Sequence, residues 1–314
     1  MENKETTNMT FRELFDRWHK ERSESVTETT SKVYRSYLNK YIPDDLKNRS
    51  VNSIDFDEWK SIKNEMLNGK APNGSKVVSS TARMALGVYH AVFIYGKRNF
   101  GLKNPADGES INYRDIRSIT VFTEKEVRKL RKAVKPYDVV HLGIMLCLYT
   151  GAEVNEICAV RWGDLDLKNN LLKIRGVVEK INKRSKKEKN NLIVVEITEK
   201  KNSRELPIPT WIAEQLKIME PMHDDDENFL TGEEGCAYPM TFRGQYVAFV
   251  KAARVQKRSI SALRHTFAMT CVKKNVEVGT LSEMLGHKKV SDTLRMYYRK
   301  QMTDKREIVE NLYE

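Results

Sequence analysis

Cysteine is scarce. The 314 residues contain four, Cys147, Cys158, Cys236 and Cys271, and no two form a C-x-x-C pair. That pattern argues against a zinc ribbon or a disulfide framework. Glycine and proline are also sparse, at 15 and 8 residues, too few for a collagen-like or low-complexity chain. The longest apolar run, Val139 to Tyr149, is too short to span a bilayer and contains His141. The opening residues, MENKETTNMT, lack the apolar centre of a signal peptide. No internal repeat is visible. These absences lead us to expect a soluble protein of a reducing cytoplasm, with no membrane partner. At roughly 100–200 residues per domain the length suggests two domains and allows one or three.

Positive charge is in excess. Lys and Arg outnumber Asp and Glu by 55 to 43, a net charge of +12. A lysine-rich solvated surface is the plain reading, but the distribution is uneven. Lys180 to Asn191 holds six basic residues against one acidic, and Lys251 to Arg264 holds five and none. Basic clusters beside apolar positions suit contacts to a polyanion. Asp224 to Glu227 lacks spaced partners for a metal and reads as a solvated loop.

Residues 10–106 read as helical. Thr10-Phe11-Arg12-Glu13 is a capping box followed by Leu14, Phe15 and Trp18 on one face. Further helices are expected over Thr27 to Tyr41, Asp55 to Leu67 and Ser79 to Asn99. The Asn104-Pro105 break opens a linker at 107–119. A second capping box at Thr123 to Glu126 starts the next helical run, which Pro136 ends; a buried helix over Val139 to Tyr149 and another over Val154 to Val160 follow. Leu171 to Val178, Leu192 to Ile197 and Arg204 to Ile208 have strand character, the last two expected to pair across a turn at Lys200 to Ser203.

Three segments of the second half combine. Thr150-Gly151-Ala152-Glu153-Val154-Asn155-Glu156-Ile157 comes first. Ser261-Ala262-Leu263-Arg264-His265-Thr266-Phe267-Ala268 is the second. Leu285-Gly286-His287, followed by Thr293-Leu294-Arg295-Met296-Tyr297-Tyr298, is the third. This pattern resembles the tyrosine recombinases, the phage-integrase family, over nearly the whole chain. The resemblance implies a mainly α fold with a small antiparallel β-sheet. A helical core-binding (SAM-like) domain at 10–106 would precede an α+β catalytic domain at 120–300, with a flexible N-terminus at 1–9 and a C-terminal tail or helix at 301–314.

The implied chemistry is attack by a tyrosine hydroxyl on a DNA phosphodiester, giving a 3′-phosphotyrosine that stores the bond energy, so neither ATP nor a metal cofactor is needed. Cationic donors stabilise the crowded phosphate and an acid protonates the leaving 5′ oxygen. By resemblance Arg264 is a bidentate phosphate clamp, His287 a hydrogen-bonding or acid–base partner, and Tyr297 the nucleophile. Family spacing from the histidine is usually nine residues and sometimes ten; nine falls on Met296, ten on Tyr297 and eleven on Tyr298. The general acid is a lysine before Arg204, either Lys200 or Lys201, with Lys200 ahead; counting back from Pro207 by the common spacing reaches Glu199.

Two positions depart from the family pattern. Glu153 stands where the first motif has arginine, and Ser261 where the second has histidine. A serine hydroxyl still donates to phosphate. Exchanging attraction for repulsion at Glu153 carries an upper bound near ~8 kcal/mol, twice the ~4 kcal/mol of a unit-charge pair at ~4 Å and an effective dielectric of 20. Arg161 is a weak candidate for the lost cation.

The leading reading is therefore a site-specific recombinase or integrase of a bacterial mobile element, acting in the cytoplasm. It would clamp duplex DNA and work as a homo-tetramer through a Holliday junction, with room for an accessory directionality factor. The stretch Asp304 to Tyr313 would dock onto a neighbouring protomer, and packing within its own chain is the alternative. No folded arm-binding domain is expected before Thr10. The second reading is a catalytically impaired or inactive relative that binds DNA for regulation or architecture, favoured by Glu153 and Ser261. A helical protein unrelated to DNA is the third.

Overall fold

Both capping boxes form. The Glu13 amide donates to Thr10 Oγ1 at 3.2 Å while the Thr10 amide donates to the Glu13 carboxylate at 2.9 Å, and Thr123 and Glu126 repeat the exchange. Each pair satisfies amides that the first helical turn leaves without partners. The structure is a computed structural model and describes residues 8–26, 28–42, 44–108, 119–180, 192–196, 203–298 and 309–310. The chain divides into two units, Met1–Arg117 and Ser118–Glu314.

In the first unit the described residues form helices α1 (Phe11–Ser23), α2 (Glu28–Tyr41), α3 (Asp44–Asn48), α4 (Phe56–Leu67) and α5 (Ser79–Phe100). The apolar positions of α1 all point inward, so Phe11, Leu14, Phe15 and Trp18 are buried. Phe93 of α5 meets Phe11 and Trp59, each at a ring-centroid distance of 5.2 Å. The Tyr89 hydroxyl, deep in this core, is satisfied by donating to the Tyr37 carbonyl at 2.9 Å.

The second unit begins with α6 (Glu124–Lys132), α7 (Val139–Thr150) and the one-turn α8 (Val154–Ile157). Helix α7 is buried along almost its whole length, which is why its sequence is an unbroken apolar run rather than a stripe. Helix α8 is shorter than the sequence predicts. The carbonyls of Cys158 and Val160 are taken by the Asn228 side chain at 2.9 and 3.1 Å and by the Ala237 and Phe229 amides at 3.0 and 2.9 Å. Partners some seventy residues away thus end the helix at Ile157.

The sheet corrects the expected pairing. Strands β1 (Leu165–Asp166), β2 (Leu171–Ile174), β3 (Gly176–Lys180), β4 (Leu192–Glu196) and β5 (Arg204–Pro207) form two antiparallel sheets. Strand β5 pairs with β2, Ile174 opposite Arg204, rather than with β4. Strand β4 pairs with β3, Lys180 opposite Leu192. The expected strand over Leu171 to Val178 is thus two, divided at Arg175, and the hairpin β3–β4 is nested between β2 and β5. The basic run 181–191 joins that hairpin and lies outside the described residues. Side-chain direction decides the pairing of β5: in this register buried Arg204 lies beside buried Ile174 and reaches the core.

Helices α9 (Thr210–Met219), α10 (Pro239–Ala252), α11 (Ser261–Lys273), α12 (Val278–Leu285) and α13 (Val290–Tyr297) complete the unit. Among the described residues no helix is long and apolar enough to cross a membrane. Of the tail 301–314, including Asp304 to Tyr313, only residues 309–310 are described; they are helical and exposed.

Candidate active site

The three sequence segments converge. Helix α7 ends on Gly151 and α12 on Gly286, both left-handed, with φ +75° and +65°. A side chain at either position is blocked twice, by the backbone and by space. A Cβ on Gly151 would lie 2.5 Å from Phe267, and one on Gly286 would lie 2.6 Å from Arg204 Nη1. These two helix ends hold Arg264. Its Nη1 donates to the Gly151 carbonyl at 2.8 Å and its Nη2 to the Leu285 carbonyl at 2.6 Å. The negative end of each helix dipole faces the guanidinium, so a partly buried cation is fixed before any ligand arrives.

Glu153, Ser261, Arg264, His265, His287 and Tyr297 line one cavity of about 350 Å³. Glu153 caps the start of α8, its amide donating to Glu156 Oε2 at 2.7 Å. Its own carboxylate lies 3.4 Å from Arg264 Nη2. That carboxylate is 56% exposed while the Arg264 side chain is 11% exposed, so water screens one partner much more than the other. The Ser261 hydroxyl shares a 2.8 Å hydrogen bond with Ser259.

His287 follows the α12 cap. Its Nδ1 pairs with the Thr293 hydroxyl at 2.7 Å, and its ring lies parallel to that of Tyr297 at 6.5 Å. Burial, with help from Arg264 and Arg204, lowers its proton affinity against the pull of Asp292. Tyr297 ends α13 and is 5% exposed. Burial pushes its phenol up, Glu153 adds to that, and Arg264 opposes it. The neighbouring Tyr298 is used elsewhere, because its hydroxyl donates to the Val276 carbonyl at 2.7 Å. Lys200 and Lys201 lie outside the described residues.

Arg161 does not fill the gap left by Glu153. Its guanidinium lies 3.4 Å from Asp226, and its strand-like backbone bridges Asn228, which anchors it to the 224–228 loop. Nor is the whole Lys251–Arg264 cluster a binding face. Arg258 pairs with Glu126 at 2.7 Å over the Phe122 ring.

Three features are not apparent from the sequence. His265, which the second motif contains without an assigned role, shares a 2.8 Å hydrogen bond between its Nδ1 and the Tyr297 hydroxyl; its place one helical turn after Ser261 is a local signal for it. Arg243 on α10 faces the same cavity and donates to Asn155 Oδ1 at 3.4 Å. Beneath the site, Arg204 forms a buried two-pronged pair with Glu156, both contacts 2.8 Å, and donates through Nε to the Met284 carbonyl at 2.8 Å. Nothing in local sequence marks that pair.

The Phage integrase family profile matches residues 120–304. The profile for the phage integrase N-terminal SAM-like domain matches residues 10–67. Among curated relatives, a tyrosine recombinase XerC-like protein of Caldanaerobacter subterraneus subsp. tengcongensis is 26% identical over 237 residues, 67% of this chain and 60% of that protein. Tyrosine recombinase XerA of Thermococcus onnurineus is 26% identical over 176 residues, 54% of this chain and 55% of that protein. The chain thus spans only about 55–60% of the length of these relatives. Among solved structures, the Tn1549 transposon integrase in complex with a circular intermediate DNA superposes with a TM-score of 0.76 at 18% identity, covering 97% of this chain and 99% of that one. At that identity the likeness concerns the fold.

Proposed function

The chain belongs to the phage integrase family, and from that premise we propose that it is a site-specific recombinase that cuts and rejoins duplex DNA through a 3′-phosphotyrosine. The observation that carries this reading is the meeting of the Tyr297 hydroxyl, Arg264 and His287 around one cavity. In it Tyr297 attacks the scissile phosphate, and Arg264 clamps two phosphate oxygens from a guanidinium already oriented by two helix ends. His287 bonds the phosphate or the leaving group. Ser261 and Arg243 add donors, and Lys200 or Lys201 protonates the leaving 5′ oxygen. Residues 10–106 serve as the core-binding domain and 120–300 as the catalytic domain. Assembly as a tetramer on two DNA sites and a mobile-element origin belong to the same proposal. Solved lambda integrase, similar at a TM-score of 0.61, was captured as a tetramer on a Holliday junction.

The test does not require the target sequence. The protein is incubated with sheared DNA of its host, denatured in SDS and captured, and retained DNA is sequenced. Enrichment of one locus supports a working recombinase and delivers its site. Absence of covalent DNA overturns it. Binding itself is expected to fall steeply with salt, by roughly 10³–10⁵ between 50 and 200 mM for six to ten phosphate contacts. Anisotropy of a labelled duplex across that range checks this, and salt-independent affinity would contradict DNA as the partner.

One observation favours a second reading, a DNA-binding relative whose chemistry is held off. The Glu153 carboxylate occupies Arg264 at 3.4 Å and competes with phosphate for it. Its exposure screens the effect, so we expect a penalty of about 1–4 kcal/mol, or ~5- to 1000-fold in rate. Glu153→Arg should raise the yield of SDS-stable complex by that factor. An unchanged yield on a cleavable site would show that Glu153 does not limit the reaction.

A further inference from the structure

The nucleophile of such a reaction must lose a proton, and the described cavity offers few acceptors for it. Arg264 accepts nothing. Glu153 is drawn to Arg264. His287 spends Nδ1 on Thr293, and its ring lies parallel to Tyr297 at 6.5 Å. Ser261, at the position where the family motif has histidine, is bonded to Ser259. One turn further along the same face of α11 stands His265, with Nδ1 2.8 Å from the Tyr297 hydroxyl. Four residues along a helix return to nearly the same face, so the imidazole absent from position 261 is present at 265.

We propose that His265 is the catalytic base of this site, taking the phenolic proton of Tyr297 through Nδ1 as the tyrosine attacks. The inference rests on the recombinase reading above. The Tyr297 O–H bond breaks and its proton passes to Nδ1, giving an imidazolium. The freed oxygen electron pair forms the O–P bond. The P–O5′ bond breaks, and the leaving oxygen takes a proton from the general acid of that reading, a lysine ammonium. Rejoining runs the same path backwards, with the imidazolium returning its proton to the departing phenolate.

The surroundings suit that task. His265 is half-buried, and burial, aided by Arg264, lowers its proton affinity, which favours the neutral ring that a base must present. Among the described residues, the charged and titratable groups around it are Arg264 on its own helix, Cys147 on α7, Glu153 before α8, Arg243 on α10, His287 after α12 and Tyr297 on α13. An incoming phosphate adds negative charge among these cations and favours the imidazolium at the moment it forms.

The experiment uses the full chain and, as probe, a duplex of the locus recovered by covalent capture, followed as the rate of SDS-stable complex formation against pH. The wild-type rate should rise with unit slope and level off once the imidazole is neutral. In His265→Ala the rate at neutral pH should fall ~100-fold or more, the inflection should vanish, and the rate should keep climbing towards the range where the phenol itself ionises. Added imidazole should restore activity to His265→Ala in proportion to its neutral form. Nitrogen NMR of the resting wild type should show Nδ1 without a proton, with a resonance that moves in Tyr297→Phe. An unchanged pH inflection in the variant, failure of imidazole rescue, or a proton resident on Nδ1 would each overturn the base while leaving the recombinase reading standing. A wild type that forms no covalent DNA at any pH overturns that reading, and this inference with it.

Discussion

Tyr297→Phe is expected to abolish covalent attachment to DNA while leaving DNA affinity and its salt dependence unchanged. The substitution deletes one heavy atom and keeps the ring. That ring packs with Ala268, Leu281 and Leu285, so the lost volume is small. The fold loses one hydrogen bond, to His265, worth about 1 kcal/mol. On the proposed reading the chemistry loses its nucleophile, and with it the intermediate that would store the bond energy. The measurement is the SDS-stable complex on a locus recovered with wild type, beside anisotropy for binding. Tyr298→Phe is the control. Its hydroxyl is bonded to the Val276 carbonyl, away from Arg264, so attachment should persist. Attachment that survives Tyr297→Phe and disappears in Tyr298→Phe would move the nucleophile by one residue.

Arg204→Ala is expected to destabilise the second unit by about 3–5 kcal/mol, because it leaves the Glu156 carboxylate buried without its countercharge. Both side chains are nearly excluded from water, at 5% and 10% exposure. Glu156 would retain the Glu153 amide as a donor, which is too little for a full charge. At roughly 2–4 °C per kcal/mol for a unit of this size, the midpoint should fall by ~6–20 °C. Thermal unfolding of the full chain followed by circular dichroism checks this. A double variant, Arg204→Met with Glu156→Met, should recover much of the loss, since no buried charge remains. If the single variant unfolds like wild type, the pair is not the keystone its burial implies. The same variant should lower cleavage. Arg204 holds the Met284 carbonyl and packs against Gly286, next to His287, while Glu156 anchors the Glu153 amide.

Much of the helical frame was legible because its signals are local. Thr10 with Glu13 and Thr123 with Glu126 lie three residues apart and start helices by bonding to amides within one turn. The helix expected over Val154 to Val160 was too long, and it was cut short by Asn228, Phe229 and Ala237. Strand character was also readable, but pairing was not. A β-ladder satisfies any backbone, and the partner of β5 is settled by where the Arg204 side chain must go.

The site divides the same way. The sequence, by its resemblance to the phage integrases, implies the site's chemical set: Arg264, His287 and a tyrosine at the end of a helix, together with the two departures, Glu153 and Ser261. It took the folded chain to settle which of two adjacent tyrosines turns its hydroxyl to the cavity, that Glu153 lies against Arg264, that His265 meets Tyr297, and that Arg161 is spent on Asp226. Successive residues on a helix point about 100° apart, so the packing of α13 against α11 admits one ring and diverts the other. Contacts between groups 32 to 144 residues apart, such as His265 with Tyr297 and Phe122 with Thr266, depend on how whole helices stack, and no local pattern in the chain encodes that.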